Sequence, residues 1–128
     1  MSVRRSSLIS LTALALGASV AAALHTHLVK AEPAVDGTVS EAPKQIRLWF
    51  SERPEVALSS AIVLTSDSAP VARIAMSKTD DTLSVAGPLT VALAPGKYLV
   101  VWKTGSPDGH AVRGSYSFSY TAEAGSRP

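Results

Sequence analysis

Short alternations of apolar and polar residues run along most of this chain, and this period favours β-strands. After residue 24 no segment keeps the helical spacing of apolar residues. In Gln45–Phe50, for example, Ile46 and Leu48 fall on one face of a strand. Further strand candidates, in chain order, are His27–Ala31, Leu58–Thr65, Val71–Met76, Thr82–Val85, Leu89–Leu93, Lys97–Lys103 and Gly114–Tyr120.

The spacing of these segments predicts the fold class. Short strands separated by turn residues every 8–12 positions or so are typical of antiparallel sandwiches and barrels. Turn residues occur at Asp36–Gly37, at Pro95–Gly96 and at Pro107–Gly109. We therefore predict an all-β domain, an immunoglobulin-like Greek-key barrel or sandwich of about seven antiparallel strands.

The start of the chain has the order of an export signal. Arg4 and Arg5 precede an apolar run, Leu8–Val20, and the small residues Ala21–Ala23. The run is shorter than the roughly 20 residues of a transmembrane helix, so we predict a cleavable signal peptide, with an uncleaved anchor as the alternative. No later apolar stretch is long enough to span a bilayer. The predicted division is a signal peptide at 1–24, a β domain at 25–122 and a flexible tail at 123–128.

Charge and cysteine content exclude several function classes. The chain has 12 Lys and Arg and 10 Asp and Glu, and the signal peptide carries only Arg4 and Arg5, so ten of each sign remain. No basic run is left to bind nucleic acid or an anionic membrane. The absence of cysteine removes thiolate catalysis, zinc ribbons and haem attachment. An exported domain without disulfides must be stabilised by its core alone.

The three histidines, His25, His27 and His110, hold the candidate chemistry. A lone histidine in a loop is more often a solvated side chain than a ligand. However, an N-terminal histidine offers both an amine and an imidazole, and Asp108 and His110 lie two apart on a Pro-Asp-Gly turn. If the chain start lies beside loop 104–110, the donors suit Cu(II) or Ni(II), with Cu(II) the tighter. Zinc would accept these donors but prefers tetrahedral geometry.

Six segments follow one another along the chain in a recognisable order: His25–Val29, Glu32–Gly37, Leu48–Glu52, Gly96–Trp102, Ser106–His110 and Gly114–Phe118. This ordered set resembles the copper resistance protein CopC family and covers essentially all of the chain after the signal peptide. The resemblance implies a periplasmic Greek-key barrel that binds one Cu(II) per chain. By position it implies that His25, through amine and imidazole, Asp108 and His110 are the ligands. It also points to an inner-membrane copper transporter (CopD-like) as partner, and we expect a monomer that binds no nucleic acid.

Two departures from the family pattern affect the metal site. Some members bind Cu(I) through clustered methionines, whereas Met76 is the single methionine here after the signal peptide. A lone methionine is usually core filler, so we predict no Cu(I) site. Cleavage just before His25 would leave Leu24 where small residues are preferred. Cleavage after Ala23 or Ala22 would place His25 second or third and change the role of the amine. His27 is an extra or competing donor in each case.

Two other functions fit parts of the sequence. An N-terminal histidine with a second histidine resembles the copper brace of polysaccharide monooxygenases, but Asp108 would occupy the position those enzymes leave open for oxygen. A metal-free immunoglobulin-like interaction module is the alternative for any secreted all-β chain. Ser106 and His110 lack the strand-to-helix turn of a serine nucleophile. We therefore predict a copper-binding protein that is not an enzyme, with Trp102 shielding the metal as the resemblance suggests.

Overall fold

The computed structural model describes residues 26–122, which form nine β-strands and one short 3₁₀ helix, Val56–Leu58. No helix in this part of the chain is long and apolar enough to cross a membrane. The strands are β1 (Leu28–Glu32), β2 (Thr38–Val39), β3 (Gln45–Phe50), β4 (Ser60–Thr65), β5 (Pro70–Ala75), β6 (Ser77–Lys78), β7 (Ser84–Pro88), β8 (Gly96–Gly105) and β9 (Ala111–Tyr120).

The strands form two sheets, and the chain crosses between them repeatedly. The four-stranded sheet has the order β1-β3-β7-β6, and the five-stranded sheet has the order β2-β9-β8-β4-β5. The predicted all-β class is thus confirmed. The strands number nine because β2 and β6, each of two residues, carry too little pattern to be seen in the sequence. The antiparallel expectation has one exception, since β2 pairs in parallel with β9.

The core lies between the sheets and follows the alternation of the sequence. Ile46 and Leu48, which the alternation places on one face of β3, are both fully buried. Five buried residues on β8 and β9 share the inner face of the five-stranded sheet, because the register places them opposite or diagonal to each other. They are Tyr98, Val100 and Trp102 on β8 and Tyr116 and Phe118 on β9. Met76 is also buried in this core, which agrees with its predicted role as filler.

One strand prediction is wrong. The alternating segment Leu89–Leu93 forms no strand, although Leu89 and Leu93 are both buried. The backbone N–H of Leu89 donates to Lys44 O at 2.8 Å, which ties the segment to the loop before β3. The alternation therefore reflects two leucines anchoring a loop on the core and not a ladder of strand hydrogen bonds. The predicted signal peptide and tail lie outside the described residues, and the domain division stays a prediction.

Candidate metal centre

A tight loop between β8 and β9 carries two of the predicted ligands. The loop is closed by Ser106 N–H donating to His110 O and by Gly109 N–H donating to Ser106 O, both at 2.9 Å. Gly109 has a φ of +88°, a left-handed conformation that glycine adopts without strain. The Pro-Asp-Gly sequence thus forms the predicted turn and places Asp108 and His110 on one short, hydrogen-bonded segment.

Asp108 and His110 are in direct contact. His110 Nδ1 lies 2.8 Å from Asp108 Oδ2, and the backbone N–H of His110 donates to Asp108 Oδ1 at 3.3 Å. The Ser106 hydroxyl also donates to Asp108 Oδ1, the oxygen that accepts the His110 N–H. The side chains of His110 and Asp108 are 82% and 67% exposed, so solvent and ions reach both groups.

Hydrogen bonds keep the Asp108 carboxylate charged. The Ser106 hydroxyl has the largest effect, followed by the hydrogen bonds from His110, and together they lower the pKa of Asp108 to about 2. A group that accepts several hydrogen bonds in its ionised form resists protonation. Asp108 therefore offers an anionic oxygen donor at neutral and mildly acidic pH.

The chain immediately after His25 is held in place by the end of β3. Thr26 is only 3% exposed, and its hydroxyl donates to Glu52 Oε2 at 2.8 Å. His27 pairs with Ser51 through its backbone: His27 N–H donates to Ser51 Oγ at 3.0 Å, and Ser51 N–H donates to His27 O at 2.9 Å. The side chain of His27 is exposed.

The anchored segment and the β8–β9 loop lie at the same end of the sandwich. Glu52 holds Thr26, and three residues later Glu55 N–H donates to Gly105 O at 2.9 Å. Three residues span at most about 11 Å, so Thr26 and the start of the loop are linked by a short path. Ser59 Oγ adds a second tie, 2.7 Å from Thr104 Oγ1. Thr26, the first described residue, is therefore linked to the loop end of β8.

Trp102 is a buried side chain near the loop end of β8. Its indole is 5% exposed and packs edge-on against Phe50 with ring centroids 5.2 Å apart. It lies flat over Gly114 on β9, where a Cβ atom would approach Trp102 Cζ2 to 2.4 Å. The indole Nε1–H is buried and has no hydrogen-bond partner within the described part of the chain. Trp102 therefore packs between Phe50 on β3 and Gly114 on β9.

The structure brings together two of the three predicted ligands. Asp108 and His110 are in contact, whereas His25 lies outside the described residues. Within residues 26–122 there is no group of three or more His, Cys, Asp or Glu side chains that could hold a metal ion. Two positioning contacts were not predicted from the sequence. Ser106 was detectable as a hydroxyl two residues before an aspartate, but the pairing of Thr26 with Glu52, 26 positions apart, was not.

Comparison with known proteins decides the family. Residues 28–121 match the CopC domain. The chain belongs to the CopC family. Copper resistance protein C of Pseudomonas syringae pv. tomato is 34% identical to it, over 92% of this chain and 98% of that protein.

Two solved structures resemble this CopC-family chain closely enough to support the same fold. The crystal structure of CopC from Methylosinus trichosporium OB3b superposes with a TM-score of 0.71 at 31% identity, covering 77% of this chain and 96% of that one. PcoC from Escherichia coli, described as a methionine-rich copper resistance protein, gives a TM-score of 0.63 at 29% identity over 76% of this chain and 99% of that one. The immunoglobulin-like sandwich is thus shared with both.

Proposed function

We propose that this CopC-family protein binds one Cu(II) ion per chain in the periplasm, through His25, Asp108 and His110. Its role is to sequester copper or to deliver it to an inner-membrane copper transporter. The proposal agrees with the names of its relatives, which include copper resistance protein C. In this function the protein acts as a monomer and catalyses no reaction.

The observation that carries the proposal is the exposed pair of Asp108 and His110. A turn needs proline, aspartate and glycine, but it does not need a histidine whose ring contacts the aspartate at 2.8 Å. The pair places an imidazole nitrogen and an anionic oxygen on one rigid loop, and both are open to solvent. Nitrogen and oxygen donors of this kind suit Cu(II).

The remaining donors come from the chain start. His25 directly precedes Thr26, whose burial and hydrogen bond to Glu52 hold the chain near the loop end of β8. The amine and imidazole of His25 would complete a four-donor set with Asp108 and His110. His27, which is exposed two residues later, is an additional or competing donor.

The donor chemistry favours Cu(II) over Cu(I). Soft thioethers select Cu(I), and Met76 is the single methionine of the described residues, buried at 8% exposure within the core. This chain therefore differs from PcoC, which is described as methionine rich. It also differs from an oxygen-activating copper enzyme, because Asp108 would fill an equatorial position that such an enzyme leaves open.

The test is a competitive Cu(II) titration of the exported protein, with its first residue established by intact mass. We expect one Cu(II) per chain, weak Cu(I) binding and no peroxide-driven oxidation of polysaccharide. A matched variant with one glycine added before the natural first residue separates the amine from the imidazole. If the amine is a ligand, the extension lowers the Cu(II) affinity, whereas a site built only from side chains tolerates it.

The competing function is a metal-free immunoglobulin-like interaction module. That function predicts no stoichiometric copper after exposure to Cu(II) and removal of loosely bound ions. Cu(I) binding as tight as Cu(II) binding would also contradict the proposed donor set.

A further inference from the structure

The five-stranded sheet has an uneven distribution of charge. Its strands contain four basic residues and no aspartate or glutamate. The described residues as a whole hold nine basic and nine acidic side chains, so their charges balance. The strands of this sheet are positively charged because the acidic residues lie elsewhere. The four basic residues are Arg73, Lys97, Lys103 and Arg113.

Two of these cations are direct cross-strand neighbours. Lys103 on β8 pairs with Arg113 on β9 in the strand register, so both side chains are on the outer face of the sheet. Like charges at directly opposed positions destabilise a sheet. No acidic residue of the sheet is available to compensate them, and an anion supplied from outside would therefore gain from both.

Beside this pair, β9 has an open edge. The strand is ten residues long, but β2 and the turn before it cover this edge only from Ser117 to Tyr120. Ser117 O and Ser119 N–H both bond towards the β2 side, to Asp36 N–H and Gly37 O. Because the backbone direction alternates along a strand, the N–H and C=O groups of Arg113 and Ser115 point to the same edge. No strand of the described chain pairs with them there.

The other sheet edges are protected in ways that this edge is not. The edge strand β1 contains a bulge between Leu28 and Lys30. The edge strand β5 begins at Pro70, and its pairing with β4 is interrupted by a second bulge. Bulges, prolines and very short strands are the usual devices against edge pairing. The open half of β9, by contrast, has regular pairing with β8 throughout and ends at the Asp108–His110 loop.

We propose that the open edge of β9 from Arg113 to Ser115 is a docking site for an acidic, extended segment of a partner protein. The segment adds as a further strand beside β9, where its backbone pairs with Arg113 and Ser115. An acidic side chain next to Arg113 is attracted by both cations of the Lys103–Arg113 pair. Main-chain pairing of this kind gives affinity, and the side chains give specificity. The inference does not depend on copper binding.

The charge and the edge together select this occupant. A lipid headgroup offers anionic charge but no ladder of backbone groups for Arg113 and Ser115. A second copy of the chain offers the ladder but adds four more cations and no anion to the same sheet. Only an acidic polypeptide strand satisfies both features.

The probe is a blocked decapeptide of alternating valine and glutamate, added to the metal-free protein. Its control is the same peptide with lysine in place of glutamate. Amide exchange is followed by NMR at Arg113 and Ser115. We expect the glutamate peptide, and not the lysine peptide, to slow exchange of both amides about tenfold or more, because an N–H paired in a strand exchanges only on opening.

Two variants test the charge and the backbone separately. Arg113→Glu is expected to weaken the glutamate peptide about tenfold, because it replaces attraction by repulsion next to the added strand. The matched control is Arg73→Glu, the same charge change on β5 at the far edge of the sheet, which leaves affinity nearly unchanged. Ser115→Pro removes an N–H that β8 does not use, and proline is tolerated on sheet edges, so this variant is expected to fold. Because it cannot donate to an added strand at position 115, the glutamate peptide should no longer slow amide exchange at Arg113.

Three results would overturn the proposal. The first is equal binding of the two peptides, or binding of neither. The second is binding of phosphatidylglycerol vesicles without protection of the Arg113 and Ser115 amides, which would make the face a membrane contact. The third is protection of these amides in the free protein that rises with concentration together with a dimer, which would make a second copy the occupant.

Discussion

Asp108 and His110 lie side by side on the β8–β9 loop, with Asp108 Oδ2 2.8 Å from His110 Nδ1 and both side chains largely exposed. Neither side chain packs against the core, so the contact adds little to the stability of the sandwich. The Ser106 hydroxyl nevertheless holds Asp108 in one position. Asp108 and His110 are thus held by hydrogen bonds and are not buried, so both groups are available to a ligand from solution.

Replacing His110 tests whether the histidine belongs to the turn or to a copper site. His110→Ala is expected to leave the apo melting temperature within about 3 °C, because an exposed side chain with little packing contributes little stability. Cu(II) affinity should fall by more than about a hundredfold, the upper range for losing a group that only supports a ligand. An apo thermal melt and a competitive titration on one sample measure both. An unchanged titration would reduce the loop to a turn.

Asp108 has a matched control elsewhere in the fold. Asp67 is also an exposed turn carboxylate that accepts a hydrogen bond from a hydroxyl two residues earlier, on Thr65, but no histidine contacts it. Asp108→Asn keeps the hydrogen-bonding shape and removes the charge. We expect it to lower Cu(II) affinity about tenfold or more, while Asp67→Asn has no effect. Equal titration curves for the two variants would exclude Asp108 as a ligand.

Prediction from a local sequence pattern is correct where that pattern determines the structure. Alternation placed Ile46 and Leu48 in the core, and the Pro-Asp-Gly turn brought Asp108 and His110 together. It failed at Leu89–Leu93, because two buried leucines in a loop have the same spacing as a strand. Periodicity reports burial, and it distinguishes a strand from an anchored loop only when hydrogen-bond partners are known.

Contacts between distant residues were beyond local pattern. The parallel pairing of β2 with β9 and the hydrogen bond from Thr26 to Glu52 join segments that are far apart in the chain. Nothing in either segment alone specifies its partner. The hydrogen bond from Thr26 to Glu52 links the start of the described chain to the end of β3. The arrangement of the candidate site therefore depends on tertiary structure, even though its residue types were visible in the sequence.

Acid should release copper through the imidazoles and not through Asp108. The hydrogen bonds from Ser106 and His110 lower the pKa of Asp108 to about 2, so its carboxylate stays ionised as the pH falls through 6 and 5. Free imidazole titrates near 6.5 and must be deprotonated to bind a metal. We expect affinity to fall over about pH 6 to 5, with a slope approaching two protons per copper if two imidazoles are ligands.

A competition titration repeated across this pH range measures the slope. The control is Ser106→Ala, which removes the largest cause of the lowered Asp108 pKa. That variant should gain an additional loss of affinity only at more acidic pH, where the carboxyl group begins to take up a proton. Affinity that stays flat between pH 6 and 5 would contradict ligation by both His25 and His110.

Gly114 is required for the packing of Trp102 under the loop. A Cβ atom at position 114 would lie 2.4 Å from Trp102 Cζ2 and 2.7 Å from Cε2, well inside van der Waals contact. The indole cannot simply retreat, because Phe50 packs against it with ring centroids 5.2 Å apart. Gly114→Ala is therefore expected to destabilise the apo protein by about 1–3 kcal/mol, the usual cost of overpacking a core.

The neighbouring Ser115→Ala serves as the control for Gly114→Ala, since Ser115 is exposed on the same strand and its substitution should be close to neutral. Combining Gly114→Ala with Trp102→Phe replaces the indole by a smaller ring, so the double variant should be less destabilised than the sum of the two single variants. Denaturant unfolding of the parent protein, the two single variants Gly114→Ala and Trp102→Phe, and the double variant measures this coupling.

Because Gly114→Ala leaves Asp108 and His110 in place, its Cu(II) affinity should fall far less than that of His110→Ala. If Gly114→Ala remains folded but loses as much affinity as His110→Ala, the packing of Trp102 against Gly114, and not the loop alone, determines the geometry of the metal centre.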